Sequence, residues 1–521
     1  MNTEVYDYVV IGSGFGGAVS AFRLSQKGYR VLILEQGKKW RAEDFPKSNW
    51  NIKKYLWAPL LRSFGIQRIS IFNEAFILSG VGYGGGSLVY GNTHMTPSKE
   101  FFQNPIWAKL GAWEEILAPH YQMAKKMLGT TQNPHLEIED EALKTVAEKW
   151  GRGASFSPLD VGVYFGDPLQ EKDPYFSGEG PLRKGCNFCS GCMVGCPNGA
   201  KNTLDKNYLY FAEKSGAEVR TGVRVEKIEF ENDEYILSCH PTEDLFKSFK
   251  IKIRTRGVVL AAGVLGSLEI LFKQKWKYKT LTKLSDKLGE NFRTNSESLC
   301  GVAGAQKKLN NGVAISSVIH PDNNTHIQIC KYPDGSGLMG RMAVMSAEDG
   351  GILKRILQST LKIFTQPISF LRVFFDFEFA SRSVFLLVMQ NLDNSMKMIF
   401  KKNLFGWSMK MQNDSGHARV PSYVSTGQRV MNDYAKVVGG VPLNAFTEVF
   451  FNLSSTAHAL GGCPMGASVE EGVVDSQFNV FGYPRFFITD GSIIPCNLGV
   501  NPSLTITALS EYAMSLVQEK K

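Results

Sequence analysis

The first stretch of the chain alternates apolar runs with small and polar breaks in a way that predicts structure. Val5–Ile11 is a short run rich in β-branched residues, and it feeds the hexapeptide GSGFGG at 12–17. AVSAFRLSQKG follows with helical spacing of its apolar positions and reaches Gly28, where a helix should stop. A second apolar run, Arg30–Leu34, halts at Glu35. The order predicted is strand, tight turn, helix, strand, acid. A similar rhythm returns further on. Residues 200–233 read as helix, short strand, turn and strand, and GVVLAAGVLGSLEILFK at 257–273 reads as a buried strand, a small-residue turn and a helix. Arg485–Ile488 predicts one more strand, closed by Thr489-Asp490-Gly491, and Asn501-Pro502 opens a last helix.

The glycines say what such a unit can hold. Gly12 permits the tight turn, Gly14 lets backbone approach a pyrophosphate, and Gly17 allows the helix to pack close to the strand. The helix start offers free N–H groups to phosphate. Glu35 can accept from a ribose 2′-hydroxyl and would repel a 2′-phosphate. Together these features predict dinucleotide binding. A second glycine-rich segment, FILSGVGYGGGSLVYGNTHM at 76–95, carries Gly84–Gly86, which leave no side chains between a flat ring or diphosphate and the backbone amides. Two separated segments of this kind suit a large cofactor lying along its length.

The predicted fold class is α/β: a Rossmann-like nucleotide domain assembled from discontinuous segments, 1–100, 190–300 and 455–521. A second, α+β substrate domain takes 101–189 and 301–454, with a cysteine-rich loop. Residues 100–180 read as irregular and helical, and 301–450 as short strands alternating with apolar stretches. Residues 352–385 combine a basic amphipathic part with many phenylalanines. Core or domain-interface packing is the plain reading; an apolar substrate entrance touching a bilayer is the functional one. Periodicity leaves both open.

Composition narrows the class. At 521 residues the chain exceeds one ordinary hydrophobic core, and 43% hydrophobic with 21% charged residues is the balance of a globular protein. The net charge of +9 is mild for this length and forms no basic stripe, so nucleic-acid binding is not expected. The start, MNTEVYDYVVIGSG, lacks a signal-peptide pattern, and no stretch of 18 apolar residues predicts a spanning helix. The expected location is cytoplasmic or peripheral to the inner face of the membrane. Nine cysteines, an odd number, disfavour a disulfide scaffold. Four of them, Cys186, Cys189, Cys192 and Cys196, have the spacing of an iron–sulfur ligand run with a proline behind. There is one such run and no second copy. A metal-free loop is the reading adopted, with an iron–sulfur cluster, zinc or a disulfide as alternatives.

The motifs GSGFGG with Glu35, GVGYGGGSLVYGN, VVLAAG, HALGGCPMG, TDGS and GVNPSLTITALSE occur in order over nearly the whole chain. In this the chain resembles the glucose–methanol–choline (GMC) oxidoreductases, FAD enzymes that oxidise alcohols, and most of all their cholesterol-oxidase-type members. The resemblance implies non-covalent FAD. It assigns Gly12, Gly14, Gly17 and Glu35 to the ADP half, and Val225 to a backbone contact with adenine. Gly85, Gly86 and Asn92 fall by the flavin rings, Asp490 and Gly491 by the ribityl–phosphate portion, and Asn501 and Pro502 near the pyrimidine end. His458 and Asn501 match the catalytic pair. A neutral imidazole can take the hydroxyl proton while hydride leaves for the flavin, and Asn501 orients without titrating. His94, His120, His135, His240, His320, His326 and His417 gain no comparable support; relatives that tether flavin through histidine do so about where Val89 stands. Glu448 is the one candidate for a base that moves a double bond. The implied substrate is a bulky apolar alcohol, sterol- or terpenoid-like, with O2 or a quinone or carrier protein as acceptor. The alternative is an aliphatic-alcohol or sugar oxidoreductase on the same scaffold.

Overall fold

The computed structural model describes residues 5–244, 251–392, 394–404, 406–414 and 416–521. The first strand, Val5–Ile11, lies parallel to Val31–Glu35 on one side and to Ile251–Leu260 on the other, with Tyr8 opposite Val31 and Gly257. Glu218–Thr221 extends the sheet beyond Val31–Glu35, also in parallel. Ile251–Leu260 serves two partners along its length. Its first half pairs antiparallel with Glu234–Pro241, and its second half runs parallel to Phe486–Ile488, with Val258 opposite Phe486. Val223–Glu231 completes the seven strands at the edge. Val9, Val10, Val258 and Val259 are fully buried, as parallel strands covered on both faces require. The structure thus shows the mixed α/β fold with its Rossmann-like unit.

The helix Phe15–Gln26 follows the first strand and packs on the carboxyl-terminal helix Ser503–Ser515. A two-pronged ion pair locks them: Arg23 donates to Glu511 through Nε at 2.7 Å and through an η nitrogen at 2.8 Å. Four parallel strands end at Ile11, Glu35, Leu260 and Ile488. Their carboxyl ends therefore deliver Gly12, Glu35, Ala261 and Asp490 to one edge, where open α/β sheets bind ligands.

A second sheet, antiparallel in its internal pairings, has the strand order Ala343–Met345, Val441–Ala445, Ser298–Ala303, Val384–Gln390, Thr325–Cys330, Ser317–Ile319, Ser157–Pro158. One of its faces is plain core. Ile327 and Ile329 pack with Leu143 and Val146 of the helix Ile138–Lys149 and with Met431 and Tyr434 of the helix Ser425–Val438. Alternation along a strand then sends His326, Gln328 and Cys330 to the opposite face. A small third sheet, in which Ser454–Thr456 runs parallel to Ala75–Ile77, ties the approach to His458 to the strand that leads into the second glycine segment.

The helices Ile352–Thr365 and Pro367–Phe374 lie over the second sheet with much apolar surface outward. Leu353, Phe364, Ile368 and Phe377 are 79, 75, 81 and 100% exposed. No helix among the described residues is long and apolar enough to cross a membrane.

Candidate active site

The glycine hexapeptide makes a trough because backbone closes in where side chains are missing. Gly12 has φ +97°, and a Cβ there would sit 2.3 Å from the Ala261 carbonyl oxygen. At Gly17 a Cβ would meet the Gly12 carbonyl oxygen at 2.0 Å, so this glycine presses the helix onto the turn. Gly14 differs: a Cβ there meets nothing within 4 Å, because the position faces open space. The second glycine segment closes over the first, and a Cβ on Gly85 would lie 2.6 Å from Gly14 Cα. Two backbone segments pass each other at a distance only glycine allows.

The cavity between them has a volume of about 350 Å³ and reaches from the nucleotide sheet to the second sheet. Gly12, Gly14, Glu35, Gly85, Gly86, Val225, His458, Asp490, Gly491, Asn501 and Pro502 all line it. Gly17 and Asn92 stand behind its wall. Gly17 does the close packing just described. Asn92 is buried at φ +68°, and its carbonyl accepts from Gly162 N–H at 2.7 Å.

Two carboxylates anchor the trough. Glu35 Oε2 accepts from the N–H and hydroxyl of Ser13 at 3.1 and 2.8 Å, and Oε1 accepts from Gly37 N–H at 2.8 Å. Burial raises its pKa above the ordinary carboxylate value. Asp490 accepts from the Ser492 N–H and hydroxyl through Oδ1 at 2.9 and 2.6 Å, and from Ser267 Oγ through Oδ2 at 2.5 Å. Open space at Gly14, glycine walls and helix amino termini at Phe15 and Ser503 fit a dinucleotide with a flat ring. Bound there, FAD would supply the two-electron acceptor, taking both electrons with the hydride.

Val89 lines the cavity where a tethering histidine would stand, and valine offers no nucleophile. His94 does not line the cavity but stands behind Tyr90 and Thr93, which do. Its Nδ1 is 2.8 Å from Thr130 Oγ1, its Nε2 is 3.3 Å from the Tyr90 hydroxyl, and burial lowers its pKa to about 3. His120, His135, His240, His320, His326 and His417 do not line the cavity either.

The candidate catalytic end is built from four side chains on four separate segments. His458 Nε2 lies 3.5 Å from Asn501 Nδ2. Asn501 Oδ1 accepts from Gln328 Nε2 at 2.7 Å, which sets the amide's orientation. On the other side of the imidazole, Glu297 presses a carboxylate oxygen against His458 Nδ1. The second oxygen of Glu297 accepts from Ala457 N–H at 2.9 Å, and the Glu297 backbone carbonyl accepts from Ser454 Oγ at 2.7 Å. A carboxylate at Nδ1 places the ring proton there and leaves Nε2 as the lone-pair acceptor. That is the tautomer a proton-accepting histidine needs. Neither Glu297 nor Gln328 carries a local signal; each sits in an ordinary strand or strand entry, and only chain packing brings it to His458.

Glu448 falls elsewhere. It is 2% exposed on the helix Phe446–Phe450, accepts from Leu299 N–H at 2.7 Å and Ser298 Oγ at 3.1 Å, and does not line the cavity. Its helix turns it inward against the strand Ser298–Ala303. Glu297 is the carboxylate at the catalytic end.

The cysteine run folds as a loop around the 3-10 turn Gly191–Val194. Cys186, Cys192 and Cys196 are buried and Cys189 is half-buried. All four are unpaired, and among the described residues no group of three or more histidine, cysteine or acidic side chains could hold a metal ion. Burial pushes the Cys189 thiol up to about 11. Fully buried Lys201 staples this loop to the flavin-facing segment, donating to the carbonyls of Leu88 at 2.9 Å and Cys192 at 2.7 Å. The loop thereby presents Met193 to the cavity.

Family models described as GMC oxidoreductase match residues 182–294 and 419–510, and one described as an NAD(P)-binding Rossmann-like domain matches 10–40. A cholesterol oxidase of Acinetobacter baumannii is 40% identical over 100% of this chain and 96% of its own length. A cholesterol oxidase of Mycobacterium tuberculosis is 40% identical over 99% of this chain and 91% of its own. A long-chain-alcohol oxidase of Arabidopsis thaliana is 24% identical over 98% of this chain and 66% of its own. Among solved structures, a pyridoxine 4-oxidase superposes with a TM-score of 0.62 at 14% identity, covering 98% of this chain and 99% of that one. Trough, carboxylate anchors, the His458 and Asn501 pair and these matches agree: the chain belongs to the GMC oxidoreductase family and is an oxidoreductase with FAD as its cofactor.

Proposed function

We propose that the protein oxidises a bulky apolar alcohol of sterol or terpenoid type to the ketone or aldehyde. The observation that carries this is the catalytic end itself: an imidazole held by Glu297, facing an amide held by Gln328, at the end of an apolar chamber. Ile77, Leu78, Leu299, Ile315, Phe385 and Leu387 wall that chamber. A smaller apolar cavity of about 50 Å³ continues from it past Met339 and Phe385 to Met342 and Phe379. Such walls reward a large apolar body, and a single polar end fixes which carbon meets the cofactor. His458 Nε2 accepts the hydroxyl proton, Asn501 aims the hydroxyl, and the paired carboxylate stabilises the imidazolium that results.

Two relatives named as cholesterol oxidases support the sterol reading, and the long-chain-alcohol oxidases support an aliphatic alcohol as the second. The electron acceptor is O2 or a quinone or carrier protein. We further place the protein in the cytoplasm or at the inner face of the membrane. The exposed apolar side of the helices 352–365 and 367–374, flanked by Lys354 and Arg372, supports peripheral contact with an anionic bilayer.

Anaerobic mixing of the flavin-loaded protein with cholesterol, a terpenoid alcohol and hexadecanol tests the substrate. Flavin bleaching fastest with the sterol is expected; bleaching by hexadecanol alone moves the assignment to aliphatic alcohols, and no bleaching by any overturns it. The variant H458A should keep its flavin and lose most turnover. Sedimentation with vesicles containing phosphatidylserine, lost in F364S/I368S, tests the membrane contact.

A further inference from the structure

His326 is a chemically capable side chain near the catalytic end that the reaction above leaves idle. It is 3% exposed, and neither ring nitrogen has a hydrogen-bond partner in the protein. Buried imidazoles without partners are costly, so the site calls for one. Gln328 lies two residues along the same strand, roughly 7 Å away and on the same face. Its Nε2 is committed to Asn501, while its Oε1 is buried and also without a partner. On the other side, the ring of His320 lies 5.0 Å from that of His326, nearly edge-on at 77°. The register explains this pair: Val318 faces Gln328 and Ile319 faces Ile327, so His320 follows opposite His326. His320 is exposed at the surface, beside Ser155, whose hydroxyl accepts from the His320 N–H.

We propose that His326 and His320 form an exit path for the alcohol's hydroxyl proton, from His458 to solvent, with one water bridging His458 to Gln328 Oε1 and His326. The inference rests on the alcohol-oxidation reading above. A large apolar substrate fills the chamber and shuts out the water that would otherwise take the proton. The balance is simple. The O–H bond breaks and an N–H bond forms on His458. The C–H bond breaks with its electron pair leaving to the cofactor, and the C=O bond forms. The proton then steps through the water to His326, through a second water to His320, whose ring lies 5.0 Å away, and out. His458 is left neutral for the next turnover. His326 is suited to transient rather than stable protonation, since burial and the neighbouring His320 and His458 lower its pKa well below the ordinary value. The charged group facing His320 is Arg152, which with burial lowers its pKa as well.

The test separates proton release from flavin reduction. The loaded protein is mixed anaerobically with its alcohol in the presence of a pH-indicator dye. In wild type, dye response and flavin bleaching should coincide; absence of bleaching would remove the alcohol-oxidation reading itself. In H326L the dye should lag the bleaching about tenfold or more, within the range that positioned proton transfer contributes. H320A alters only an exposed side chain and serves if H326L fails to fold. Its lag should disappear as imidazole is added to the solvent, a rescue that a structural role would not produce. Coincident dye and bleaching in H320A, or a lag indifferent to imidazole, overturns the path. Histidine NMR on the flavin-loaded protein gives an independent reading. H320A should raise the titration midpoint of His326 by removing a neighbouring positive charge, and an unmoved midpoint overturns the coupling.

Discussion

The carboxylate behind His458 invites a substitution whose outcome depends on proton position rather than shape. In Glu297→Gln the new amide keeps the volume, and its oxygen can still accept from Ala457 N–H, now at 2.9 Å from Glu297 Oε2. The amide nitrogen then faces His458 Nδ1 and can only donate. That moves the ring proton to Nε2, the atom that must accept from the alcohol. Glu297→Ala removes the partner without imposing the wrong tautomer. A charge-assisted hydrogen bond contributes about 1.5–3 kcal/mol, so the alanine variant should lose about 10- to 150-fold in kcat/KM. The glutamine variant should lose more, toward the roughly 10⁴-fold cost of the wrong histidine tautomer in Ser-His-Asp enzymes. Single-turnover flavin bleaching under anaerobic conditions measures both, with the flavin-to-protein ratio as the control for an intact trough. A glutamine variant within threefold of wild type, or an alanine variant clearly slower than the glutamine one, would refute the tautomer argument.

The glycine trough supports a paired experiment. G12A forces a side chain into φ +97° and 2.3 Å from the Ala261 carbonyl, so thermal denaturation should show a loss on the order of 3 kcal/mol. G14A meets no protein atom within 4 Å and should fold normally, yet release flavin on dialysis. Burial pushes Glu448 up to about 8, while an unfolded glutamate titrates near 4.3. The folded protein keeps a proton that the unfolded chain has lost, so this residue makes stability fall as pH rises from about 4 to about 8. Urea denaturation across that range should show E448Q with a flatter profile than wild type. Q328L leaves Asn501 Oδ1 without its donor at 2.7 Å and should cost about tenfold or more in turnover with flavin retained. Elemental analysis of purified protein should find neither iron nor zinc in stoichiometric amount, and one iron cluster per chain would return the cysteine run to ligand duty.

Local pattern made a large part of this molecule legible. Val5–Ile11 and Val31–Glu35 lie within one residue of where their periodicity places them, while the helix Phe15–Gln26 starts three residues earlier, inside the glycine hexapeptide, and ends two residues before Gly28. The strand and helix around 251–272 and the helix after Pro502 are equally local, since buried apolar runs and helix openings are written in adjacent residues. The cavity residues named in advance lie in the glycine segments or in the motifs that carry the family resemblance: Gly12, Gly14, Glu35, Gly85, Gly86, Val225, His458, Asp490, Gly491, Asn501 and Pro502. The miss at Glu448 shows the limit. Whether a carboxylate on the helix 446–450 faces a cavity or a strand depends on how that helix seats against Ser298–Ala303, and nothing within five residues says so.

The chain by itself therefore determined the nucleotide-binding unit and its glycine geometry, because each depends on backbone freedom within a short span, whereas the pairing of His458 with Asn501, 43 positions apart, is implied by the family resemblance. Tertiary structure decided the rest of the catalytic end. Glu297 reaches His458 across 161 residues' difference in position and Gln328 reaches Asn501 across 173, while His326 meets His320 only through antiparallel register. The cysteine run likewise took its meaning from Lys201, which binds it to the segment facing the flavin. Contacts of this kind are set by how sheets and loops close on one another, and a proton's position on an imidazole follows from the neighbour that closure supplies.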